Sequence, residues 1–85
     1  MTVNEAVKQL RKESGDTWQS FAWRYQMALS SVANYESGKM RPCTAKLIRF
    51  YLNAVDLKSI TAMIFYRAIV KDVGEQLIIE RADAS

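Results

Sequence analysis

The sequence predicts an all-α domain of five helices, and three observations carry that expectation. Apolar residues recur every three or four positions within separate segments, the spacing of a helix with one buried face. Glycine and proline are scarce, three and one respectively, as suits helices with short connections. Hydrophobic residues make up 49% of an 85-residue chain, enough for the packed core of one domain and too much for a disordered one.

The first helix is expected over Val3–Glu13. Thr2 followed by Glu5 reads as a capping box, and Val3, Ala6, Val7 and Leu10 share one face. Gly15 ends it, because glycine tolerates the left-handed conformation there. Asp16 or Thr17 starts the second helix, with Phe21, Ala22 and Tyr25 inward; Trp23 then lies on its outer side, as a contact surface or across a neighbour. The turn Gln26-Met27-Ala28 leads to a third helix over Leu29–Ser37, closed by Gly38. Lys39-Met40-Arg41-Pro42 follows as a basic loop, since proline has no amide donor to continue a helix. Cys43 reads as a small residue before a fourth helix over Thr44–Ala54, with Leu47, Ile48, Tyr51 and Leu52 apolar. The fifth helix is expected to begin at Leu57 or Lys58 and to reach Val73. Ile60, Ile64 and Ala68 form one apolar row, and Ala62, Tyr66, Ile69 and Val73 another. A helix apolar on two sides in a small protein has two things to cover, its own core and, most simply, a second copy. The second row is therefore the expected dimer interface. Gly74 ends the helix, and Leu77-Ile78-Ile79 reads equally as a helical turn or a short strand. Residues 1–56 form the expected binding core and residues 57–85 an association segment of the same domain.

Charge is unevenly placed. Residues 1–50 hold eight Lys and Arg against four Asp and Glu; residues 51–85 hold four against five. A basic front joined to a near-neutral apolar back suits a polyanion-binding module with an association surface. There is no histidine and a single cysteine, Cys43. This excludes an internal disulfide framework and a Cys/His metal centre, and leaves Cys43 without a histidine to activate it. No enzyme activity, cofactor or metal is expected. The N-terminus lacks the pattern of a signal peptide, and charges at Arg67, Lys71, Asp72 and Glu75 interrupt the longest apolar stretch, so a cytoplasmic protein with no membrane association is expected.

The most specific signal is one register: Thr17-Trp18-Gln19-Ser20-Phe21-Ala22, then Tyr25, Met27, Ser30-Ser31-Val32, Tyr35-Glu36-Ser37-Gly38 and Pro42. Gap-free over 26 positions, it resembles the helix-turn-helix of the phage-repressor family, the lambda repressor and Cro type. Ala22 matches the family's small residue where the two helices cross, Met27 its apolar turn residue, Val32 its buried aliphatic, and Glu36-Ser37-Gly38 its helix ending. The resemblance implies a compact five-helix lambda-repressor-like domain in which helices 2 and 3 form the helix-turn-helix.

It also implies that the third helix enters the major groove, facing the bases with Leu29, Ser30, Ala33 and Asn34. Asn34 has the chemistry for a bidentate pair with adenine. Phosphate contacts are expected from Trp18, Gln19, Ser31, Ser37, Lys39 and Arg41. Trp18 stands where the family prefers glutamine; either its indole N–H donates to phosphate, or it packs over the first helix junction and Gln19 takes the polar role. Arg11 and Glu36 match a family ion pair that fixes helix 3 against helix 1, and Tyr35 is expected in the core. Gln26 departs from the usual glycine, and Ala28 cannot cap through its side chain; Ser30 or Ser31 as the cap would shift the register.

These readings point to a homodimeric, sequence-specific transcription regulator, a repressor of the kind found in phages and mobile elements, acting on double-stranded DNA and controlled by abundance or a regulatory protein partner. The alternatives are a protein-interaction or antitoxin-like module with a repurposed helix-turn-helix, and a non-specific architectural DNA binder.

Overall fold

Each of the first two helices opens on a threonine whose hydroxyl replaces the missing turn. In the computed structural model, which describes residues 1–74, Thr2 Oγ1 accepts from the Glu5 amide at 3.1 Å while Glu5 Oε1 accepts from the Thr2 amide at 2.9 Å. Thr17 and Ser20 repeat the exchange. These caps start α1 (Val3–Ser14) and α2 (Trp18–Arg24). The chain continues as α3 (Leu29–Ser37), α4 (Thr44–Asp56) and α5 (Ala62–Val73), an all-helical fold with no strand among the described residues. The expected Leu77–Ile79 element lies outside them.

Four helix ends share one hydrogen-bond pattern. A residue with positive φ donates to the carbonyl three positions back, and its successor to the carbonyl five back of itself. Gly15 and Gly38 take this place after α1 and α3. After α2 and α4 it falls to Gln26 (φ 53°) and Lys58 (φ 55°), residues that carry a Cβ into the left-handed region. The Met27 amide donates to Ala22 O and the Ser59 amide to Ala54 O, closing both turns. Ala28 precedes α3 without a side-chain cap, and neither Ser30 nor Ser31 shifts its start.

The expected fifth helix begins too early. Lys58 ends α4, which runs two residues beyond Ala54, and α5 starts only at Ala62. The corner between them is held by buried hydroxyls. Ser59 Oγ donates to Glu13 Oε2 at 2.8 Å and lies 2.7 Å from Thr61 Oγ1, and the Thr61 amide donates to Ser59 Oγ. Polar groups with these partners can be buried without penalty, so the corner seals the end of α1 rather than extending a helix.

The core is aromatic and centres on Phe50. Its ring lies 4.7 Å from Tyr25, 5.6 Å from Phe65, 5.8 Å from Phe21 and 6.3 Å from Tyr35, all by centroid. Ala6, Val7 and Leu10 close it from α1, Ala22 and Val32 from α2 and α3, and Leu47, Ala54, Ala68 and Ile69 from α4 and α5.

Two apolar faces differ from expectation. On α4 the inward residues are Leu47, Phe50 and Ala54, while Leu52 is 58% exposed. On α5 they are Phe65, Ala68 and Ile69; Ile60, outside the helix, is 72% exposed. Ile69 is 1% exposed, and Ala62 and Val73 pack against the same core. The expected dimer row is thus largely used within the monomer, and Tyr66 lies 5.7 Å from the Tyr51 ring. Around the α4–α5 corner, the apolar side chains Leu52, Val55, Leu57, Ile60 and Met63 remain open.

Phe50→Ala should lower the unfolding free energy by about 3–5 kcal/mol, and Phe50→Leu by less, since leucine leaves a smaller cavity, measured by urea denaturation. Replacing Lys58 or Gln26 by glycine should instead stabilise the fold, each by about 1 kcal/mol, seen as a raised urea midpoint with an unchanged slope.

Candidate nucleic-acid interface

Helix α3 has one buried and one open side. Val32 and Tyr35 point into the core, and Leu29 and Ser30 are exposed. Ala33 and Asn34 are half-buried at the edge of the open side. The Asn34 side chain makes no hydrogen bond within the described residues, although its carbonyl accepts from the Lys39 and Met40 amides. The four expected base-facing residues therefore share an accessible strip whose one amide has its donor and acceptor free.

Two clamps fix this strip to α1. Arg11 Nε donates to Glu36 Oε2 at 2.7 Å and Arg11 Nη2 to Glu36 Oε1 at 3.1 Å, with side chains only 15% and 5% exposed. The Glu36 carboxylate raises the Arg11 pKa, mainly through this hydrogen bond. Arg11 Nη1 also donates to Asp16 O, so one guanidinium holds α3 and the α1–α2 connection together. The second clamp is Asn4, whose Nδ2 donates to Tyr35 O at 2.7 Å and to Met40 O at 2.8 Å. It secures both the end of α3 and the basic loop. Nothing in the sequence pattern marked Asn4, because both acceptors are backbone carbonyls more than thirty residues away.

The expected phosphate ligands divide into two groups. Gln19 and Lys39 are exposed and make no side-chain hydrogen bond among the described residues. Ser31 is half-buried, and Ser37 Oγ donates to Asn34 O. Trp18 and Arg41 are already engaged. Trp18 Nε1 donates to Glu36 Oε1 at 3.2 Å, which makes the indole a third member of the Arg11–Glu36 cluster and leaves no indole donor for phosphate. Arg41 Nη1 and Nη2 reach Asp72 at 3.1 and 3.0 Å, and Thr44 Oγ1 donates to the same carboxylate. Those bonds, with Arg41 first, hold the Asp72 carboxyl below its ordinary pKa. Sequence spacing could not reveal this pair, because it joins a loop to a helix 31 residues away.

On the outer side of α2, Trp23 is 85% exposed. Arg24 Nε meets Asp16 Oδ2 at 2.8 Å, and this pair lowers the Asp16 pKa. Cys43 is exposed before α4. Among the described residues no group of three His, Cys, Asp or Glu could hold a metal, and no helix is long and apolar enough to cross a membrane.

Removing one partner of the partly buried cluster leaves the other charge without compensation. Glu36→Ala should cost about 3 kcal/mol of stability. Glu36→Gln, which keeps the shape and one acceptor, should cost less. Urea unfolding followed by tryptophan fluorescence checks both.

No protein-family model matches the chain, and comparison with curated proteins and with solved structures yields no match either.

Proposed function

We propose that this chain is a sequence-specific DNA-binding transcription regulator, a homodimeric repressor acting in the cytoplasm, with α2 and α3 as its helix-turn-helix and α3 as its reading helix. The observation that carries the reading is the open strip of Leu29, Ser30, Ala33 and Asn34, clamped to α1 by Arg11–Glu36 and Asn4. A reading helix needs an open face held in one orientation, since base contacts are made by side chains that must meet the base edges in fixed geometry.

The roles follow from chemistry. Asn34 pairs with adenine N6 and N7, Ser30 bonds a base or a phosphate, Leu29 covers a thymine methyl and Ala33 permits close approach. Lys39 and Gln19 contact the backbone. A dimer presents two copies of α3 to half-sites about 34 Å apart on a short palindromic operator. The open apolar residues around the α4–α5 corner, rather than the buried Ile69, are the surface available for pairing.

A second reading, an antitoxin-like or other protein-interaction module, is favoured by Trp23, a large aromatic left almost wholly open on α2. Selection of duplexes from a random pool, followed by salt titration, separates the two. A reader enriches one motif, and Asn34→Ala weakens that motif by about 1–3 kcal/mol while leaving scrambled duplexes unaffected. Lys39→Ala weakens all duplexes alike and makes the salt slope shallower by about 1. Equal binding of all duplexes would favour an architectural role, and binding of none at low salt would remove the DNA reading.

A further inference from the structure

A groove of ≈ 340 Å³ lies beside the basic loop, between the start of α1 and the outer side of α5, lined among others by Thr2, Val3, Arg41, Arg67 and Lys71. It belongs to none of the roles above. Arg67 and Lys71 stand one helical turn apart on α5, so their side chains leave the helix on one side. Both are exposed, and neither makes a hydrogen bond or ion pair among the described residues. Two carboxylates are near, and both are occupied. Asp72 is bound by Arg41 and Thr44, and Glu5 accepts from the Thr2 amide in the α1 cap. Arg67 and Lys71 thus face the groove with their charge uncommitted, beside an Asp72 carboxylate that Arg41 already neutralises and a Glu5 carboxylate engaged through one oxygen.

The groove is continuous with the proposed DNA-facing surface, because Arg41 belongs both to its lining and to the loop after α3. The Asn4 bonds to Tyr35 O and Met40 O hold the start of α1 against that loop and so tie the groove to the end of the reading helix. From this arrangement we infer that the DNA backbone runs past the helix-turn-helix into the α1–α5 groove, with its phosphates on Arg67 and Lys71. The occupant is a sugar–phosphate strand and not a peptide: the uncommitted charged side chains that line the groove, Arg67 and Lys71, are both cations. Arg41 serves as the electrostatic bridge between the two halves of the surface, its charge shared with Asp72. The inference rests on the DNA reading and extends its contact surface to α5, outside the register from Thr17 to Pro42.

The test is the double variant Arg67→Ala/Lys71→Ala, titrated by fluorescence anisotropy against the selected duplex and a scrambled one over a range of salt. Both side chains are exposed, so circular dichroism and the melting temperature should stay at wild-type values. Affinity should fall for both duplexes by the same factor, and the slope of log affinity against log salt should become shallower by about 2, one unit for each lost phosphate contact. Trimming the duplex from its ends should abolish the difference between variant and wild type once the outer phosphates are gone. A variant with wild-type slope and affinity, beside a Lys39→Ala control that does lose slope, would overturn the groove while leaving the helix-turn-helix reading intact. Failure of the wild type itself to bind any duplex would instead remove both.

Discussion

The Phe50 ring is the contact on which the other elements depend. It meets Phe21 and Tyr25 from α2 and its end, Tyr35 from α3 and Phe65 from α5, so three helices converge on one side chain of α4. Offset and edge-to-face packing of such rings adds to the area they bury. In a domain of this size the hydrophobic margin is thin, and one shared hub does the work that a larger protein spreads over several layers. Because Tyr35 belongs both to the hub and to α3, the same packing that stabilises the fold also sets the roll of the proposed reading helix. Its open face is open because Val32 and Tyr35 are not.

Polar interactions then fix what packing leaves adjustable. Arg11, Glu36 and Trp18 join the end of α1, the end of α3 and the first turn of α2, while Asn4 ties the opposite end of α1 to the basic loop. Engaging the indole and the Arg41 guanidinium inside the molecule has an electrostatic consequence. The number of cations in the front half overstates the charge free to meet a polyanion. Among the described residues, Lys39 on the loop and Arg67 and Lys71 on α5 are uncommitted, and they come from opposite halves of the chain. The division into a binding core at residues 1–56 and an association segment at 57–85 is therefore too sharp for the surface proposed here.

Local rules carried the reading a long way where the determinants are local. The Thr2–Glu5 box, the glycines after α1 and α3, the break at Pro42 and the inward set Phe21, Ala22 and Tyr25 all stand where the sequence places them. They could be read because caps, turns and helical faces depend on residues within one or two turns of each other. Arg11–Glu36 was legible only through a resemblance, since its partners are 25 residues apart.

Periodicity could not settle α4 and α5. Each carries apolar residues on more than one side, so a shift of face costs nothing in the pattern: Leu52 and Ile60 appear as eligible for burial as Phe50 and Phe65. The choice fell to shape, because the Phe50 and Phe65 rings fill the space among α2, α4 and α5 that smaller side chains would leave empty. Lys58 in a left-handed turn and the buried Ser59–Thr61 hydroxyls then set where α5 begins. By itself, the sequence determined α1 to α4 to within two residues, the caps of α1 and the basic front, all products of near-neighbour chemistry. The tertiary structure alone decided which apolar face is buried, which cations are already paired and where α5 meets the basic loop, because each depends on partners the chain brings together only when it folds.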